Sequence, residues 1–169
     1  MRRIIRIILI ILLVALIIIQ FFRPAKNISQ GIAMNDISTK YTIPDSVNDI
    51  LKVACNDCHS NNSRYPWYWS MQPVAWFLNG HIEKGKRHLN FSIFTSYKIG
   101  NQYKSFDEIR KEVKEDDMPL TSYTLIHRDA VLNDAQKLAL ENWATASRKE
   151  IEGQYPPDSL ISKKPNQPR

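Results

Sequence analysis

Cysteine and glycine are scarce in this chain: 169 residues hold two of the first and five of the second. Two cysteines cannot form the multi-bridge framework of a small disulfide-rich domain. No second pair stands at the spacing of a structural zinc site. The sequence also lacks a sustained apolar–polar alternation, which disfavours strands, and it has no internal repeat. A net charge of +6 suggests an anionic partner until the charge is located. Arg2, Arg3, Arg6 and Arg23 flank an N-terminal apolar run, and no acidic residue lies among the first 23. The remainder carries 19 basic against 17 acidic residues. No basic stripe is left to contact nucleic acid, so no nucleic-acid partner is expected.

The longest apolar run is Ile7 to Ile19, bounded by arginines and by Gln20-Phe21-Phe22-Arg23-Pro24. A helix from Ile4 to Phe22 rises roughly 28 Å, close to the hydrocarbon thickness of a bilayer. Bulky residues replace the small ones of a signal-peptide cleavage site, so an uncleaved anchor over 1–23 is expected. The arginines place its start in the cytoplasm. The expected location is the inner membrane, single-pass, with a periplasmic domain.

Residues 24–44 read as a polar tether and 151–169, rich in lysine and proline, as a disordered tail. Between them, 45–150 reads as one helical domain. Asp45 or Ser46 caps a helix carrying Val47, Ile50, Leu51 and Ala54. Pro73 suits the first turn of another that runs toward Ile82. Ser105 and Glu108 read as a capping box, as do Asn133 and Gln136. The last helix presents Ala135, Leu138, Ala139, Trp143 and Ala146. The fold class is all-α: a small cytochrome c-like helical domain preceded by one transmembrane helix.

Both cysteines fall in one motif, Cys55-Asn56-Asp57-Cys58-His59. Two thiols three positions apart on a helical turn can add to the two vinyl groups of one haem, with the next imidazole placed to bind its iron. A redox dithiol calls for a βαβ context that is missing. Zinc calls for further ligands that His81, His88 and His127 do not supply at regular spacing. A plain disulfide would need an oxidising compartment. One covalent c-type haem on Cys55, Cys58 and His59 is the reading.

For the opposite face of the iron, Met118 leads. It stands before Pro119 on a segment leaving a helix, where a thioether can reach a haem and raise its potential. Met71 is the other methionine within the domain. His81, His88 or His127 would instead complete a bis-histidine site. The group Trp67, Tyr68, Trp69 and Trp76 is expected to pack around the macrocycle and exclude water.

The run from Cys55 to Tyr68, CNDCHSNNSRYPWY, resembles the signature of the bacterial haem-binding-domain family. The likeness continues through His81-Ile82, Gly85-Lys86 and Leu89-Asn90-Phe91-Ser92, then Met118-Pro119-Leu120, Tyr123, His127, Leu132 and Trp143. It spans about 45–146. It implies a cytochrome c-like fold, covalent haem on Cys55 and Cys58, and His59 as proximal ligand. It supports Met118 on the other side and marks His81, Asn90 and His127 without a role. The expected function is transfer of single electrons to an unidentified protein partner. The alternatives are a sensor or peroxidase-like enzyme with an open distal site, or a structural module completed by haem.

Overall fold

The computed structural model describes residues 1–162. Among these are seven α-helices and no strand, so the chain is all-α. Helix α1 spans Arg2–Ile19, α2 Asp45–Ala54, α3 Asn56–His59 and α4 Val74–His88. Helices α5, α6 and α7 span Ile99–Lys114, Thr121–Thr124 and Asp134–Gln154. Helices α5 and α7 pack along each other, α2 packs on α7, and α3 is held between α2 and α4. Short 3-10 turns at Ile37–Thr39, Trp67–Ser70 and Phe91–Ser96 fill the connections.

The expected transmembrane helix is overturned. No helix among the described residues is long and apolar enough to cross a membrane. Helix α1 has 18 residues, and Arg2, Arg3 and Arg6 occupy three of them. The uninterrupted uncharged run, Ile7 to Ile19, rises roughly 20 Å against a hydrocarbon core of about 30 Å. Counting onward to Phe22 fails because the helix stops at Ile19 and the next residues turn into the domain. There Gln20 Nε2 donates to the Gln72 carbonyl at 3.2 Å, and Gln20 Oε1 accepts from Gln72 N at 2.9 Å. Gln72 Nε2 donates to the Phe22 carbonyl at 2.7 Å. The single-pass inner-membrane location, which rested on that span, is overturned with it.

The stretch from 24 to 44, expected as a tether, contributes to the core. Ile37 and Tyr41 are buried, and Asn35 and Asn27 accept backbone hydrogen bonds from Thr95 and Ser63. At the other end α7 continues through buried Ile151 to Gln154, and the turn Pro157–Leu160 packs on α5. The remainder of the expected tail, 163–169, lies outside the described residues.

Two caps resolve differently. Asn133 and Gln136 form the expected capping box on α7. Ser105 instead lies inside α5, buried at 1% exposure, because that helix begins at Ile99, two turns earlier. On α7 the buried face is Leu140, Trp143, Ala144, Ser147 and Ile151, and Leu138 is exposed. Ala135 and Ala146 are exposed as well, so the buried face is rotated around the helix from the one the sequence suggests, with Trp143 common to both.

The main core is an aromatic chain. Tyr41 meets Phe106 edge-on at 5.0 Å, Phe106 meets Phe94 at 5.1 Å, and Phe106 meets Trp143 at 5.4 Å. Each such pair adds about 0.5–1.5 kcal/mol beyond its area burial. Tyr41 donates its hydroxyl proton to Gln102 Oε1 at 2.6 Å, while Gln102 Nε2 donates to the Tyr97 carbonyl at 2.6 Å. Burial raises Tyr41 above its ordinary 10.0, so folding favours the protonated hydroxyl. The unfolded chain ionises first, and stability present below pH 10 is lost as pH rises beyond it. Tyr41→Phe should lower stability by about 1–2 kcal/mol at neutral pH and flatten the alkaline loss, both measurable by urea denaturation across pH.

Candidate functional site

The two cysteines stand at a break between helices. Helix α2 ends at Cys55, whose φ of −124° and ψ of −45° leave helical geometry, and α3 restarts at Asn56. The backbone N–H of Cys58 and that of His59 both donate to the Cys55 carbonyl, at 3.1 and 2.9 Å. That single turn carries Cys55, Cys58 and His59 together. Cys55 packs against the main core, and both thiols are half-buried and free. Burial pushes Cys55 up to about 12, helped by Cys58, and Cys58 up to about 11, helped by the carboxylate of Asp57. These are protonated thiols at neutral pH, unlike the low-pKa thiolate of a redox dithiol.

His59 is oriented through one of its nitrogens. Its Nδ1 lies 3.0 Å from the Leu89 carbonyl, which can only accept, so Nδ1 carries the proton. That carbonyl is free to accept because Leu89 is the cap residue just past α4, where intrahelical partners run out. Nε2 is left with its lone pair. Burial lowers the pKa of His59, opposed by the Leu89 and Gly85 carbonyls, so the ring is neutral at neutral pH. A neutral imidazole with Nδ1–H tied to a carbonyl is the arrangement that prepares Nε2 to bind a metal.

Helix α4 reaches this turn only because residue 85 is glycine. A Cβ there would lie 2.5 Å from the Cys58 carbonyl oxygen and 3.0 Å from Cys58 Cβ. Asn90, for which the sequence supplies no role, ties the connection: its Nδ2 donates to Asn61 Oδ1 at 2.9 Å and its Oδ1 accepts from Ser92 N at 3.0 Å. Asn27 closes the loop after the motif. It donates through Nδ2 to the Ser60 carbonyl and to Ser63 Oγ, both at 2.8 Å, and accepts from Lys86 Nζ at 2.6 Å.

Beside Cys58 opens a shallow cleft, in part open to solvent. Apolar and aromatic side chains dominate its walls: Trp69, Phe77, Leu78, Ile82 and Leu120, with Tyr68. His81 and His127 both line it. His81 Nδ1 faces the Phe77 carbonyl at 2.9 Å. His127 Nε2 is 2.6 Å from the Tyr68 hydroxyl, and its ring stacks on Tyr123 at 4.2 Å. Trp69 is core, whereas Trp67 and Trp76 are exposed, so the aromatic group divides between wall and rim. Met118 is half-buried just past α5, its N–H on the Glu112 carbonyl at 3.2 Å, and lies outside the lining of this cleft. Met71 and His88 are exposed.

A buried carboxylate joins the motif to the cleft wall. Asp57, 7% exposed, accepts from Arg64 N at 2.8 Å and Arg64 Nε at 3.1 Å. Its Oδ2 accepts from the Tyr123 hydroxyl at 2.6 Å. Burial, and then Asp57, hold Tyr123 above its ordinary range, so its proton stays in this bond. Asp57 and Arg64 stand within the signature itself, yet nothing in their spacing announces that they meet Tyr123.

The sequence profile of the haem-binding-domain family matches residues 14–146. The chain belongs to that family, and it binds haem. The match begins well before residue 45, in agreement with the contacts of Gln20, Asn27 and Tyr41. No curated protein and no solved structure matches the chain.

The donors on the Cys55–His59 turn fit this cofactor, since they offer two thiols and one prepared imidazole nitrogen together. No group of three or more His, Cys, Asp or Glu side chains able to hold a bare metal ion is found among the described residues. Gly85→Ala should push α4 from Cys58, cost about 1–3 kcal/mol, and reduce the haem recovered per chain. Thermal melts and absorbance of the purified variant measure both.

Proposed function

We propose that the domain is a c-type cytochrome that holds one haem covalently and passes single electrons to a protein partner. The observation that carries this reading is the pairing of His59 Nδ1 with the Leu89 carbonyl, one residue from Cys58 and four from Cys55. Cys55 and Cys58 would hold the haem, each thiol adding across one vinyl group with its sulfur on one carbon and its proton on the other. The bound haem supplies one-electron chemistry through its iron. His59 would hold the iron through Nε2, and Met118 would supply a thioether as its second protein ligand. Trp69, Leu78 and Ile82, the more buried apolar residues of the cleft, would limit water at the macrocycle, which tunes the potential. Domain bounds of 45–150 follow the haem-binding unit, with 24–44 joined to it.

A second reading rests on the placement of His81 and His127 in the cleft beside Cys58. With an open distal position, either imidazole could move a proton to or from a bound peroxide or gas, as in a sensor or peroxidase. One variant separates the two. Met118→Ala in the haem-loaded protein should abolish the low-spin spectrum and the sulfur-to-iron charge-transfer band of the ferric form. An unchanged spectrum would remove Met118 as ligand and turn the reading toward His81 or His127.

A further inference from the structure

We propose that Tyr97 tunes His59 through the Leu89–Asn90 peptide, acting as a positioning residue for the iron ligand. The proposal rests on the reading of His59 as proximal ligand and adds to it the group that sets its donor strength. One peptide unit lies between the two side chains. Its carbonyl, from Leu89, accepts from His59 Nδ1 at 3.0 Å. Its N–H, from Asn90, donates to the Tyr97 hydroxyl at 3.0 Å in the buried core. The hydroxyl proton is directed back toward the Asn90 carbonyl at 3.5 Å.

Hydrogen bonds arranged head to tail through an amide polarise each other, most strongly where the dielectric is low. An acceptor on the N–H side makes the carbonyl more negative, and a more negative carbonyl draws the Nδ1 proton harder. Nε2 gains electron density and becomes the stronger donor, which favours ferric iron and lowers the potential. Tyr97 is 9% exposed and Asn90 4%, so water cannot replace the hydroxyl. Burial raises Tyr97 above its ordinary range, which keeps it a neutral hydroxyl at neutral pH. The orientation of the peptide is fixed from outside by the Asn90 side chain on Asn61 and Ser92. The ring itself rests against Phe94, centroids 5.7 Å apart, and phenylalanine preserves that contact.

The test is Tyr97→Phe in the full chain, read twice. In the haem-free chain with labelled histidine, the His59 Nδ1–H proton resonance should move upfield relative to the wild type. In the haem-loaded chain the reduction potential should rise. Tyr103→Phe, whose hydroxyl bonds Glu152 and Arg148 on the surface, should move neither. In the wild type, the Asn90 amide should exchange with solvent as slowly as core amides; this measurement stands even if the variant does not fold. An Nδ1–H resonance unmoved in a folded Tyr97→Phe chain, or an Asn90 amide that exchanges freely, overturns the proposal. A moved resonance with an unchanged potential upholds the relay in the protein and overturns His59 as the iron ligand.

Discussion

The bond from His59 Nδ1 to the Leu89 carbonyl constrains more of this molecule than any other. For it to form, α4 must end at His88, so that the next carbonyl has no helical partner. Helix α4 must also come within van der Waals reach of Cys58, which residue 85 permits only as glycine. The chain after His59 must then turn away without taking the carbonyl back. Asn27, Asn61 and Asn90 do this by holding the following loop through side-chain amides. A buried imidazole with both nitrogens unpaired would be costly. Tying Nδ1 leaves Nε2 as the nitrogen of the ring that can bind.

Around that bond the molecule divides into a rigid side and an open side. The aromatic chain Tyr41, Phe94, Phe106 and Trp143 joins α5 and α7 in the core against which Cys55 packs. Cys55 faces this core, whereas Cys58 faces the cleft. The cleft wall formed by Tyr123 and His127 is not freestanding. It is fastened to Asp57, a residue between the two cysteines, by a hydrogen bond to a buried carboxylate. A displacement of the turn would therefore move the wall with it.

What could be read from the sequence follows the range of the interactions involved. The Cys-x-x-Cys-His spacing, the all-α class and the Asn133–Gln136 capping box depend on neighbours within a few residues, and the sequence alone announces them. Asn27 meets Ser60, Tyr97 meets Asn90 through a bend, and Asp57 meets Tyr123 from 66 residues away. Such pairs leave no periodic trace. The N-terminal helix misled for a different reason. Composition up to Phe22 is apolar enough to suggest a span, but the glutamine that ends the run is taken up by Gln72. Tertiary contact also explains the apparent tether: Ile37 and Tyr41 are one i, i+4 pair in a polar stretch, too short a pattern to mark a helix, yet both are buried.

The account stands on covalent attachment at one turn, and denaturing electrophoresis with a haem stain tests that most directly. The full chain, produced alongside a c-type maturation system, should keep its haem through denaturation, and both Cys55 and Cys58 should be blocked to thiol reagents. Haem that washes out on denaturation, with both thiols still reactive and a control cytochrome correctly matured, would contradict the account.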